Sequence, residues 1–354
     1  MRWLVEFSKA AASTDNLVAR PNHAALLCAG LVGEMGSVLA EFKKEERERE
    51  AYPLYRNRME EEIGDFLWYF VRLVDVWSPD LIQTLTVPPA SDGEDRGLDY
   101  LELAAAVGRL ADPAVPAADR GQRLREAWAQ LAKVAAGRVD LEVAAAKNLT
   151  KTKSRWPVER VWHPPFDEQF PEWEQLPRAL DVEFKQLDDP KRTVILRCRG
   201  LNFGDRLTDN IALGDGYRFH DVFHFAYAVF LGWSPVIRAL MRTKRKSDST
   251  VDEAQDGARA VIIEEGVSAM VFSRGKEMAE YAEIHKVDYD LLKQIQEFVA
   301  GYEVESVDLW QWERAILEGF RVFRLLHSRG GGTVRLNLEE HTLTYFTPAG
   351  EEVR

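Results

Sequence analysis

Hydrophobic positions recur at helical spacing through roughly the first 155 residues and change character beyond about 180. Leu27, Leu31, Val38 and Phe42 fall at threes and fours or their sums, which predicts a helix over 22–47. Ile63, Phe66, Phe70, Leu73 and Val74 form the stripe of a second helix over 54–77, with Tyr52-Pro53 as the turn before it and Ser78-Pro79 as its stop. Residues 84–97, carrying Pro88-Pro89 and Asp92-Gly93, read as an exposed loop. Ala-rich helices are expected over 98–111, 120–136 and 140–153, with Gly137 as a stop before the last.

Residues 156–180 interleave Pro157, Pro164, Pro165, Pro171 and Pro177 with Trp156, Trp162, Phe166, Phe170 and Trp173. A free linker would not carry so many aromatics, so this reads as an extended segment pinned along a domain surface. Strands are then expected over 182–187 and 193–199, joined at Asp188-Asp189-Pro190. Helices follow over 217–231, 252–272, 289–300 and 307–326, and Arg329-Gly330-Gly331-Gly332 leads to strands over 333–338 and 342–346. The expected fold is mainly α: an all-α helical bundle over 1–157, a Pro- and aromatic-rich connector over 158–180, and an α+β domain of open role over 181–354. An alternative makes the second domain a diverged bundle partner, because Glu265-Gly266-Val267-Ser268 repeats the spacing of Glu34-Met35-Gly36-Ser37.

A length of 354 residues fits two domains better than one. The net charge of -12 argues against a surface that grips nucleic-acid polymers, but not against small nucleotides, whose phosphates a metal and a few cations can meet. Cys28 and Cys198 are too sparse for a disulfide framework or a zinc site and read as free thiols of a reducing cytoplasm. Neither a signal peptide nor a membrane span is expected, so the location expected is cytoplasmic.

Acidic residues change this picture. Glu34 lies three residues after Leu31 and four before Val38, on the apolar stripe, where an unpaired carboxylate costs several kcal/mol or more. Glu62 and Asp65 leave one side of the next helix, one turn apart. Two helices that turn acids toward a shared interface make an all-oxygen cage suited to Mg2+ or Mn2+. The plainer alternative is an amphipathic pair whose acids point outward. Lys147, Asn148, Lys151 and Arg155 share a helical side and can meet phosphate oxygens, unless they are simply a solvated face. Trp68 and Tyr69 are candidates to stack on a base or to fill the core.

Three segments together resemble the MazG family of nucleoside triphosphate pyrophosphohydrolases: Gly33-Glu34-Met35-Gly36-Ser37-Val38-Leu39-Ala40-Glu41, then Glu62-Ile63-Gly64-Asp65-Phe66-Leu67-Trp68-Tyr69, then Ala146-Lys147-Asn148-Leu149-Thr150-Lys151 with Ser154-Arg155-Trp156-Pro157. The resemblance covers residues 1–157 and implies a helical bundle, assembled as a homo-dimer or larger homo-oligomer. It further implies Mg2+-dependent hydrolysis of a nucleotide between the α- and β-phosphates. By position, Glu34, Glu62 and Asp65 would be metal ligands, and Lys147, Asn148, Lys151 and Arg155 would contact the nucleotide. Glu61 is a candidate base. The sequence departs from the family where Ser37 replaces the second glutamate of the first motif. Either Glu41, one turn on, compensates as a ligand, or the bundle senses nucleotides without hydrolysing them well.

A second candidate site, for a nucleotide or a metal, lies in the later domain. His220, Asp221 and His224 share a helix turn, Glu264 and Glu265 follow an apolar run, and Lys244, Arg245 and Lys246 form a basic loop able to clamp phosphate. The plainer alternative is satisfied core histidines, interface acids and a solvated turn.

Overall fold

Local sequence accounts for most elements of the computed structural model, which describes residues 1–86, 96–210 and 214–353. Of the loop expected over 84–97, residues 87–95 lie outside the described set. Contacts divide the chain into Met1–Glu159 and Arg160–Arg354.

Among the described residues the first unit holds helices and no strand: α1 (Arg2–Ser13), α2 (His23–Glu48), α3 (Tyr55–Trp77), α4 (Arg96–Ala111), α5 (Arg120–Ala135) and α6 (Leu141–Arg155). The helix α1 was not anticipated, although Leu4, Phe7 and Ala11 have helical spacing and are buried. Asp140 caps α6, its carboxylate accepting from the Glu142 and Val143 amides. Packing centres on α3, which contacts α2 and α6 most extensively, while α4 pairs with α5. Its Ile63, Phe66, Leu67 and Phe70 are fully buried. Gly64 permits the close approach of α3 to α6: a Cβ there would lie 2.6 Å from the Ala144 carbonyl oxygen and 3.1 Å from Asn148 Cβ.

Contrary to the expectation that no stretch approaches a span, the helical run His23–Ala51 is long and apolar enough, by length and composition alone, to cross a membrane, with a mean hydropathy of 1.5 in its most apolar stretch. Within it α2 buries Leu27, Leu31, Met35 and Val38 against the first unit, while only 22% of its most apolar stretch is buried.

The second unit is built on an antiparallel sheet of β1 (Ala179–Gln186), β2 (Val194–Cys198), β3 (Leu201–Leu207), β4 (Gly331–Asn337), β5 (Thr342–Phe346) and β6 (Glu352–Val353). Strand order is β3-β2-β1-β4-β5-β6. Leu180, Val182 and Phe184 alternate inward along β1. Its helices are α7 (Asp221–Leu231), α8 (Pro235–Met241), α9 (Ser249–Ala254), α10 (Ala258–Glu277), α11 (Tyr289–Phe298) and α12 (Leu309–Arg329). Every residue of α7 is buried, with α12 packed along it and reaching β4 and β5. A unit centred on this sheet is not a second helical bundle of the first kind.

Two expectations change. The helix expected over 252–272 is two helices, because Asp256 turns inward, fully buried, to accept from the Arg245 backbone amide at 2.7 Å and from its guanidinium. The segment taken as a connector belongs, from Arg160 on, to the second unit. Its fully buried Asp167 accepts from Arg238, Arg178 and the Leu176 amide, each at 2.7 Å, and Trp162 stacks on His341 with centroids 4.0 Å apart. The strands β3 and β6 and the helix α8 carry weak or short patterns and went unrecognised.

Candidate functional site

Packing of α2 against α3 brings Glu34, Glu62 and Asp65 together, with one oxygen from each within 4.8 Å of the others. All three are half-buried. From the other side α6 supplies Asn148, whose Nδ2 donates to Asp65 at 2.7 Å, and Lys151, whose ammonium is ion-paired with the same carboxylate. Lys147, one turn earlier, is paired with the buried Glu60, which also accepts from Arg56 at 3.2 Å. Burial works against the Glu60 charge, but hydrogen bonds from Lys147 and Arg56 outweigh it and hold the carboxyl below its usual range.

Beside these groups opens a cleft of about 210 Å³ lined by Asn57, Glu61, Lys147, Asn148 and Lys151. Asn57, Glu61 and Asp65 are successive turns of one face of α3, and Glu61 lies 3.4 Å from Arg58 and 4.0 Å from Lys151. The field at the cluster is negative: burial, then Glu34 and Asp65, push the Tyr69 phenol up.

In the second unit His220 and His224 lie one turn apart at the start of α7, facing Glu264 and Glu265 of α10. His224 and Glu264 are fully buried and bonded Nδ1 to carboxylate at 2.9 Å. Glu264 also accepts from Ser234 at 2.6 Å and from the Val236 amide at 2.7 Å, at the start of α8. Burial opposes charge on His224, but Glu264 and Glu265 outweigh it and push its pKa up to about 10. Burial pushes His220 down.

A family model, the MazG C-terminal domain, matches residues 161–349, more than half of the chain. The chain belongs to the MazG C-terminal domain family. No curated protein and no solved structure matches it. Membership points to a nucleotide pyrophosphatase-like hydrolase. The match lies on the second unit, so the acidic cluster of the first is carried by its own geometry.

Several candidate residues sit elsewhere than expected. Glu41 is outside the acidic cluster and accepts a hydrogen bond from the Tyr52 hydroxyl. Arg155 lies over the Trp156 ring, 4.7 Å from its centroid, and does not line the cleft. Trp68 is core, buried with its Nε1 donating to Thr14 at 3.0 Å, so it presents no face for a base. In the MazG C-terminal domain Arg245 cannot clamp phosphate: it is buried between Asp256 and Glu303, each at 2.7 Å. Lys246 is exposed and Lys244 half-buried. Glu264 is spent on His224 and α8, whereas His220, His224 and Glu265 do converge. Asn57 and Glu60 were missed, although Asn57 stands four residues before Glu61, a spacing that announces a shared face.

Proposed function

We propose that the first unit hydrolyses a nucleoside triphosphate between its α- and β-phosphates, with Mg2+, to a nucleoside monophosphate and pyrophosphate. The observation that supports this best is the convergence of Glu34, Glu62 and Asp65 beside a cleft walled by Lys147, Asn148 and Lys151. The donor set fits a hard divalent ion: three carboxylates, within 4.8 Å of one another, with no imidazole or thiolate among them. Bound there, Mg2+ would neutralise phosphate charge and lower the pKa of water.

The chain's own groups do the rest. Lys147 and Lys151, now paired with Glu60 and Asp65, stand where they can exchange a carboxylate for phosphate oxygens. Asn148 orients Asp65. Glu61, on the cleft wall, takes the proton of the water whose oxygen attacks the α-phosphorus as the bond to the bridging oxygen breaks and pyrophosphate leaves. Ser37 and the engagement of Glu41 by Tyr52 favour a second reading, a nucleotide sensor with a reduced acidic set.

Pyrophosphate release from a panel of ribo- and deoxyribonucleoside triphosphates with Mg2+ tests this, comparing wild type with Glu62→Ala. Release from one or more substrates, abolished by the substitution, is the expected result. No release from any of them by folded wild-type protein would reject hydrolysis and leave the sensor reading.

A further inference from the structure

The cluster of the second unit has a feature that a satisfied histidine core would lack. Nδ1 of each ring faces an acceptor: His220 faces the Tyr217 carbonyl at 2.9 Å, and His224 the Glu264 carboxylate at 2.9 Å. Those partners accept the proton of each Nδ1 and leave the two Nε2 atoms as the ring positions turned to the cluster. What the Nε2 atoms meet is more acceptors. His220 Nε2 lies 3.2 Å from Asp221 and 3.9 Å from Glu265, and His224 Nε2 lies 3.5 Å from Glu265. The Nε2 of His224 is buried, has no hydrogen-bond partner, and belongs to a side chain with no exposure. Ligand atoms of His220, His224 and Glu265 lie within 4.8 Å of one another.

Ring nitrogens and a carboxylate converging at this distance call either for a proton on His224 or for a bound cation. We propose that His220, His224 and Glu265 bind a divalent transition-metal ion, with Zn2+ the best match, at a site separate from the acidic cluster of the first unit. Two imidazoles and one carboxylate suit zinc and its neighbours and are poor ligands for Mg2+. The outer contacts have the form that metal-ligating histidines show, the far nitrogen anchored by a carboxylate or a backbone carbonyl. Tyr217 adds to this by stacking on His220, centroids 4.1 Å apart and planes 8° apart, which fixes the ring. Glu264, tied to Ser234 and the Val236 amide, is a positioning residue, while Glu265, with its side chain 43% exposed, is the ligand on the solvent side. Three protein ligands leave a coordination position open, as in sites that act on a bound molecule.

The test uses the full chain, stripped with chelator and titrated with Zn2+ in excess Mg2+, added to fill the acidic cluster if it binds metal as proposed above. Wild type and Glu62→Ala are each expected to bind one Zn2+ per chain and to melt at a higher temperature with it. Glu265→Gln and His220→Asn, both folded by circular dichroism, should bind at least about 10–100-fold more weakly, the range known for outer-shell changes. Cobalt(II) should give visible absorption bands with wild type that vanish in Glu265→Gln. Failure of wild type to bind Zn2+, or equal binding by Glu265→Gln and wild type, would overturn the proposal and leave a protonated His224 as the group that balances the acids. His224 itself is too deeply buried to make a clean variant.

Discussion

Gly64→Ala isolates how the approach of two helices sets the candidate site. The added Cβ would sit 2.6 Å from the Ala144 carbonyl oxygen, where ordinary contact begins near 3.4 Å, so α3 and α6 must part by about 0.8 Å. Overpacking of this kind costs ~1–3 kcal/mol, against which the helix gains about 0.8–1.0 kcal/mol of propensity from alanine. Gly33→Ala is the matched control, because nothing lies within 4 Å of its Cβ, and it should gain the propensity alone. The difference between the two variants in urea denaturation is therefore expected to be about 1–3 kcal/mol, with Gly64→Ala the less stable. The same separation draws Asn148 and Lys151 away from Asp65, to which both are bonded. A misplacement of ~1 Å can lower a rate about 100-fold, so pyrophosphate release at low substrate should fall by ~10–100-fold. Equal stability of Gly64→Ala and Gly33→Ala, with undiminished release by the former, would refute the argument that this contact positions the cleft.

Other consequences follow from single contacts. Ser37→Glu puts a carboxylate one turn from Glu34 and should raise pyrophosphate release, measured as turnover at saturating Mg2+; an unchanged rate would show that the three acids present suffice. Asp167→Asn leaves Arg238 and Arg178 without their carboxylate and should cost ~3–5 kcal/mol in denaturant unfolding. Burial raises the Asp167 pKa, but Arg238, the Leu176 amide and Arg178 outweigh it and hold it low. Its contribution is thus complete above the unfolded value of about 3.9 and is lost as pH falls through the lower folded value, so the variant's stability should vary less with pH below ~4 than that of wild type. Gly331→Ala should destabilise the second unit by more than ~1 kcal/mol, because at φ +117° its Cβ meets the Phe184 carbonyl oxygen at 2.3 Å; a melting temperature within error of wild type would contradict this.

Elements whose burial follows from their own periodicity could be read along the chain. The stripe of α3, with the turn before it and the stop at Ser78, predicts the observed Tyr55–Trp77 closely, and Glu34 on the apolar stripe of α2 marked the carboxylate cluster before any packing was known. Spacing shows that Asp65 and Glu62 leave one helix side, and that Lys147 and Lys151 share another, because an α-helix repeats every 3.6 residues. Only the tertiary structure decided which side faces which. It gave Lys151 to Asp65 and Lys147 to Glu60, and it tied Glu41 to Tyr52. The break between α9 and α10 was hidden for the same reason: Asp256 leaves the helix for Arg245, a partner that no local pattern announces. So was the fate of Asp167, read in a connector and found as a buried anchor of the second unit. Local propensity and periodicity act within one turn or one strand, and the sequence carries them residue by residue. The pairing of charges between elements depends on which faces approach, and that is set by the collective burial of apolar surface, which is non-directional and leaves no mark at any single position.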